Sequence, residues 1–136
     1  MRTPAAHSPC PCGRRSSATQ GVPYAACCGR WLERSTAAPD AESLMRSRYI
    51  AFVLERQDYL LASWHVSTRP AMVDFEPDAK WLGLEVRRHA RLNDTHAEVE
   101  FVARLRHAQG AATRLHELSR FVCENGCWFY VDGTQR

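Results

Sequence analysis

"HAEVEFVARLRH", residues His96 to His107, decides the fold. Ala97, Val99, Phe101, Ala103 and Leu105 fall on one side of an extended chain, and Glu98, Glu100, Arg104 and Arg106 on the other. A period of two with one apolar side is a strand that buries one face. Three further stretches flank it: "WLGLEVRRHAR" (Trp81 to Arg91), whose alternation is imperfect, "TRLHELSRFVC" (Thr113 to Cys123) and "CWFYVD" (Cys127 to Asp132). The connections Leu92–Asp94, Ala108–Ala111 and Glu124–Gly126 have hairpin length and turn chemistry. The sequence therefore predicts a four-stranded antiparallel meander with one face in a core.

Upstream of the strands the period changes. Pro39 and Asp40 read as a helix start with Asp40 as N-cap, and Met45, Tyr49, Phe52 and Val53 recur at helical spacing. That predicts an amphipathic helix from Ala41 to about Arg56. Asp58 is expected to cap a second short helix, "YLLASW", ending near His65. Helices followed by a meander make an α+β fold, with the helices expected on the concave face of a curved sheet. "RSTAAPD" (Arg34 to Asp40) reads as a linker, which divides the chain into a segment 1–35 and an α+β domain 36–136.

The 136 residues are 45% hydrophobic and 10% aromatic, enough for a core without disulfides. No apolar run approaches a membrane span, and "MRTPAAHSPC" lacks the apolar stretch of a signal peptide, so the expected compartment is the cytoplasm. Residues 1–35 carry five arginines against Glu33 alone (+4), and the remainder carries 13 basic and 14 acidic side chains (−1), which together give the net +3. Only the N-terminal end is basic. That is too little for a dedicated DNA-binding surface.

Four of the six cysteines lie in "SPCPCGRRSSATQGVPYAACCG" (Ser8 to Gly29). Disulfides, a metal and a reactive thiol compete to explain them. A structural zinc site takes four soft ligands as two pairs on two turns, which Cys10/Cys12 and Cys27/Cys28 supply. Gly13 and Gly29 follow the pairs, where the backbone must turn sharply or approach closely, and Pro9 and Pro11 stiffen the first turn. Adjacent cysteines make strained disulfides, and a reducing compartment favours metal, so one structural Zn2+ on Cys10, Cys12, Cys27 and Cys28 is the favoured reading.

"CPCG…PYAACCG" resembles the SEC-C motif, a small zinc module named after the C-terminus of the SecA translocation ATPase. The stretches "ESLMRSRYIAF" (Glu42 to Phe52), "DYLLASWHVSTRP" (Asp58 to Pro70), "WLGLE" (Trp81 to Glu85), "LHELSRF" (Leu115 to Phe121) and "WFYVDG" (Trp128 to Gly133) resemble the YchJ family of bacterial proteins. The resemblance runs over nearly the whole chain from Cys10. It implies a zinc-binding SEC-C segment followed by a nuclear-transport-factor-2-like, or cystatin-like, cone, and it implies no known reaction. Two features depart from the family pattern. The fourteen residues between Cys12 and Cys27 exceed the usual spacer. Such a lengthening costs about 0.5 kcal/mol in loop entropy, against metal binding worth on the order of 10 kcal/mol. Cys123 and Cys127 flank a hairpin turn that usually carries other residues. They read as packing thiols, with a second metal or redox pair as the alternative.

A cone leaves space between helix and sheet. The candidate lining is Tyr49, Trp64, His65, Arg69, Trp81, His116, Glu117 and Arg120, with His65 able to act as acid or base near neutral pH and Asp74 or Glu117 if burial raised its pKa. The bland reading makes the aromatics core residues and the cluster around Arg69 a structural joint. In that joint the His65 ring bonds backbone carbonyls and Arg69 pairs with an acid such as Glu117, and loss of Arg69 would cost roughly 3 kcal/mol. No Ser-His-Asp order, glycine-rich phosphate loop or paired carboxylates stand out, so no catalytic residue is assigned. Two function classes remain, and the first is the favoured one. In one, the SEC-C segment docks on a protein or ribosomal partner through its arginines and exposed Trp31 or Tyr24. In the other, the cone binds a small molecule or is an enzyme, and zinc is purely structural.

Overall fold

Four strands pair antiparallel in chain order: β1 (Lys80–Arg91), β2 (His96–Arg106), β3 (Ala112–Glu124) and β4 (Cys127–Gln135). The computed structural model describes residues 3–136. The β3–β4 hairpin turns on Asn125 (φ 52°) and Gly126 (φ 79°), the two positive-φ positions that an Asn-Gly turn supplies. Register slips in β1 between Trp81 and Gly83 and between Val86 and Arg88, and in β3–β4 at Arg120/Phe121. These bulges bend the strands, as a curved sheet requires. Ala97, Val99, Phe101 and Ala103 of β2 are buried, as the alternation predicts.

Among the described residues three α-helices precede the sheet, α1 (Gly29–Leu32), α2 (Ala41–Val53) and α3 (Gln57–Ala62), with a 3-10 turn at Tyr24–Ala26 ahead of them. Asp40 caps α2, its Oδ1 accepting the Ser43 N–H at 2.7 Å. The helix ends at Val53, three residues before the predicted limit, because Glu55 takes φ +56° and cannot continue it. Asp58 does not cap α3. Arg56 holds that position without a side-chain bond, and Asp58 sits in the first turn with its Oδ1 accepting the Tyr59 N–H. Gln57 starts the helix and Ser63 ends it, short of His65.

Helix α2 lies between two layers. One side packs with Ala97, Val99, Phe101 and Phe121 of the sheet, and the same continuous core includes Tyr24, Trp31 and the four N-terminal cysteines. Tyr24 (2% exposed) and Trp31 (7%) are thus core residues, not the exposed docking anchors that the sequence offered. Among the described residues no helix is long and apolar enough to cross a membrane.

Candidate metal centre and cone cavity

The first cysteine pair is held by a short antiparallel arrangement in which Pro9 faces Pro23 and Arg15 faces Gly21. Cys10 donates its N–H to Val22 O, and Gly13 (φ +82°) donates to Cys10 O, closing the turn that aims both thiols inward. The second pair leads into α1. Gly29 is required there for a different neighbour than the metal: a Cβ would come within 2.7 Å of Tyr24 O and 3.1 Å of its ring.

All four sulfurs lie within 4.8 Å of one another and all four residues are buried. Cys12 Sγ is 3.6 Å from Cys27 Sγ, and Cys27 Sγ is 4.0 Å from Cys28 Sγ. Those separations are far beyond an S–S bond of about 2.05 Å. They bracket the edge of roughly 3.8 Å that a tetrahedron with metal–sulfur bonds of about 2.3 Å requires. Ionisation is uneven. Hydrogen bonds from Cys10, then Cys27 and Cys28, hold Cys12 far below the ordinary thiol range, and Cys27 is lowered first by Cys10. Cys10 is pushed up, first by Cys12, and Cys28 is pushed up, first by Cys10. Four thiols this close ionise completely only around a cation, so the donor set fits a soft divalent metal. The four cysteines form a site that can hold a metal ion.

The surroundings of the site are charged and ordered. Arg14 N–H points at Cys12 Sγ (3.4 Å), and Arg46 Nη1 donates to Cys12 O (2.9 Å). Glu42 joins three elements here: Arg14 of the loop (3.1 Å), Arg46 of α2 (2.9 Å) and His89 of β1 (3.7 Å). Burial pushes the Glu42 carboxyl up, but hydrogen bonds from Arg46 and Arg14 outweigh it and hold it below the ordinary carboxylate value. At the far end of the segment, Arg56 grips Glu33 through both nitrogens (3.1 and 2.8 Å), and Tyr24 donates its hydroxyl to the same carboxylate (2.7 Å). Arg15, Arg30 and Arg34 remain exposed, with Arg30 stacked over Trp31 at 4.5 Å. Arg2, the fifth arginine, lies outside the described residues.

Between α2 and the sheet is a largely apolar cavity of about 190 Å3. Tyr49, Trp64, Trp81 and Glu117 line it, as the sequence reading expected. His65, Arg69, His116 and Arg120 do not. The pleat explains the last two. Glu117 shares its side of β3 with Leu115, Ser119 and Phe121, so His116 and Arg120 project from the opposite face. There His116 meets Glu100 at 2.6 Å, and Arg120 meets Asp132 at 2.6 Å. Arg69 is exposed and donates Nε and Nη2 to Trp64 O (3.0 and 2.9 Å), so the expected buried pair with Glu117 does not exist. His65 bonds Ser67 Oγ through Nδ1 (2.6 Å) and shares a shallow surface hollow with Arg120. Its Nε2 comes within 3.0 Å of a Glu124 oxygen without hydrogen-bond geometry. The backbone bond at His65 is its own N–H to Tyr130 O (2.7 Å), not one from the ring. Asp74 is exposed at a separate small hollow beside Phe75. Cys123 pairs with Trp128 and Cys127 with Glu124, which puts the two thiols on opposite faces of the hairpin and rules out a shared metal or a disulfide there.

Among the cavity-wall residues absent from the predicted lining, three are polar: Arg48, Ser119 and Tyr130. A signal for Arg48 was present. Met45, Arg48, Tyr49 and Phe52 stand at i, i+3, i+4 and i+7, so an arginine occupies the buried stripe of α2. Ser119 follows from the parity of β3. On that wall the Glu117 carboxylate accepts from Ser119 Oγ (2.5 Å), Gln135 Nε2 (3.1 Å) and Tyr130 OH (3.4 Å). It lies flat over Gly133, where any Cβ would overlap it. Burial, then the Glu117 charge, pushes the Tyr130 hydroxyl up to about 12, so it stays a donor at neutral pH.

An α+β cone closed by an antiparallel meander, with a buried four-cysteine cluster docked on its first long helix, defines an NTF2-like protein of the SEC-C-bearing kind. The family described as "YchJ, middle NTF2-like domain" matches residues 40–133, and the chain belongs to the YchJ (UPF0225) family. It is 64% identical to a UPF0225 protein of Polaromonas naphthalenivorans over 94% of this chain and 98% of the relative. It is 54% identical to a UPF0225 protein of Bordetella pertussis over 99% of this chain and 98% of the relative. Among solved structures, it resembles a SEC-C motif containing protein from Rhodopseudomonas palustris (TM-score 0.74, 30% identity, 89% of this chain and 98% of that one). It also resembles one from Psychrobacter arcticus (TM-score 0.76, 29% identity, 96% and 84%).

Proposed function

We propose that the chain is a small-ligand-binding protein of the cytoplasm, in which one Zn2+ on Cys10, Cys12, Cys27 and Cys28 staples the N-terminal segment to α2 and the cone cavity receives the ligand. The observation that carries this reading is the cavity itself: an aromatic-walled space with a buried arginine and a carboxylate on it, where an ordinary core would be filled. At about 190 Å3 it is smaller than drug-sized sites, so the ligand is compact. The zinc is structural because four thiolates fill a tetrahedron and leave no open position for chemistry. Thiolates of this kind suit a reducing compartment. Docking on a protein or ribosomal partner would have to rest on Arg15, Arg30 and Arg34 without an apolar anchor, since Tyr24 and Trp31 are in the core.

The test is a fragment screen by two-dimensional NMR on isotopically labelled, zinc-loaded protein. Hits are expected to shift Tyr49, Trp64, Trp81 and Phe101, and filling the space with Ala103→Leu is expected to remove them. Hits confined to the surface around Arg15 and Arg30, or surviving Ala103→Leu, would contradict the reading.

A further inference from the structure

Arg48 projects from α2 into the cone and is only 6% exposed. Its Nη1 is fully used, donating to Leu60 O (2.8 Å) and Ser63 Oγ (2.7 Å). A guanidinium has five N–H donors, and among the described residues the two on Nη2 and the one on Nε find no acceptor. No carboxylate of the described residues reaches ion-pair distance of it. Its nearest compensation is aromatic: the guanidinium carbon stands 4.9 Å from the Trp64 ring centre and 4.5 Å from that of Tyr130. Burial lowers its pKa to about 10, which still leaves it charged at neutral pH. The same wall holds Trp64 Nε1–H, which is buried without any acceptor among the described residues, whereas the free nitrogens of Arg48 are not fully buried and open on the cavity. A buried charge is normally matched, because leaving it unmatched is costly. The one carboxylate on the cavity, Glu117, already accepts from Ser119, Gln135 and Tyr130.

We infer that the cavity takes a compact monocarboxylate, its two oxygens on the free Nε/Nη2 edge of Arg48 and its apolar body against Tyr49, Phe52 and Trp81. The inference rests on the small-ligand reading above and adds the class of ligand. A carboxylate matches a guanidinium edge with two parallel bonds. The aromatic wall requires the remainder of the molecule to be apolar, and the Glu117 charge on the same cavity disfavours a dianion such as a phosphate monoester.

Four probes of one shape separate the possibilities: phenylacetate, phenylacetamide, phenethylamine and phenyl phosphate, titrated into the zinc-loaded chain and followed by calorimetry and NMR. Phenylacetate is expected to bind about tenfold or more tighter than the amide, the step a charge-assisted pair supplies, and tighter than the amine or the phosphate. Arg48→Gln, checked for its fold by circular dichroism, is expected to erase the preference for acid over amide, and Arg48→Lys to restore part of it. Should Arg48→Gln fail to fold, the acid-to-amide ratio in the unmodified chain decides alone. Equal binding of acid and amide at the cavity overturns the carboxylate inference while the small-ligand reading stands. A preference for phenyl phosphate or the amine also overturns it. Four probes that leave Tyr49, Trp81 and Phe101 unshifted overturn both.

Discussion

Arg46 and Arg48 stand two residues apart on α2 and point into different regions of the molecule. Arg46 faces the cysteine cluster and is tied there at two nitrogens: its Nε grips Glu42, and its Nη1 holds Cys12 O. Arg48 faces the cone and has three donors without an acceptor. Residues at i and i+2 lie on nearly opposite sides of a helix, so one element serves two sites. The sites differ in the charge they gather. The cluster brings together four thiols that ionise together only around a cation, and the cone buries a guanidinium with no carboxylate of the described residues within ion-pair distance. On the readings proposed above, the first region holds a soft divalent metal and the second a small anion.

The two regions separate first under loss of the metal. Cys12→Ser with Cys28→Ser is expected to reduce zinc from one per chain to near zero by elemental analysis, removing binding energy on the order of 10 kcal/mol. Amide exchange is then expected to rise from Cys10 to Glu33 and along the Glu42 side of α2, while β2 and β3 stay protected. A rise throughout His96–Gln135 would show that the regions are one cooperative unit.

Phe121→Ala strikes the other region. Phe121 is 2% exposed in the cone core, and its truncation is expected to cost about 3–5 kcal/mol in denaturant titration, with zinc content unchanged. Coupled loss of zinc would erase the distinction.

The joint between the regions is Glu42. Its folded pKa is depressed, so the stability from its ties is complete above the unfolded value of 4.5 and is lost as pH falls through the lower folded value. The melting temperature is expected to be flat from neutral pH to about 5 and to fall in acid below that. At neutral pH, Glu42→Gln is expected to cost about 1–2 kcal/mol. The smallest effect belongs to Arg69→Ala. Exposed, and bound only to a carbonyl, it is expected to change stability by about 0.5–1 kcal/mol, not the 3 kcal/mol of a broken buried pair. A larger loss would show that Arg69 anchors the end of α3.

The meander was legible because β2 alternates cleanly and Asn125-Gly126 writes its own turn. The start of α2 was legible because Asp40 is a capping residue in front of a helical period. The end of α2 was not, since the left-handed conformation of Glu55 leaves no mark in residue type. The clustering of Cys10, Cys12, Cys27 and Cys28 was legible in their paired spacing. The cavity was half legible. Applying the strand period to β3 would have kept Glu117 and excluded His116 and Arg120. Applying the helix period to α2 would have added Arg48. Grouping residues by chemistry without that parity mixed the two faces of the sheet. The burial of Tyr24 and Trp31 had no local signal at all, because it depends on how the cysteine segment docks on α2.

The most direct test of the account is X-ray absorption at the zinc edge of the purified chain. Four sulfur scatterers at about 2.3 Å, with no nitrogen or oxygen in the first coordination sphere, is the expected result. A site with fewer sulfurs, or with a water or imidazole ligand, would contradict it, since an open position would move the chemistry of this protein from the cone to the metal.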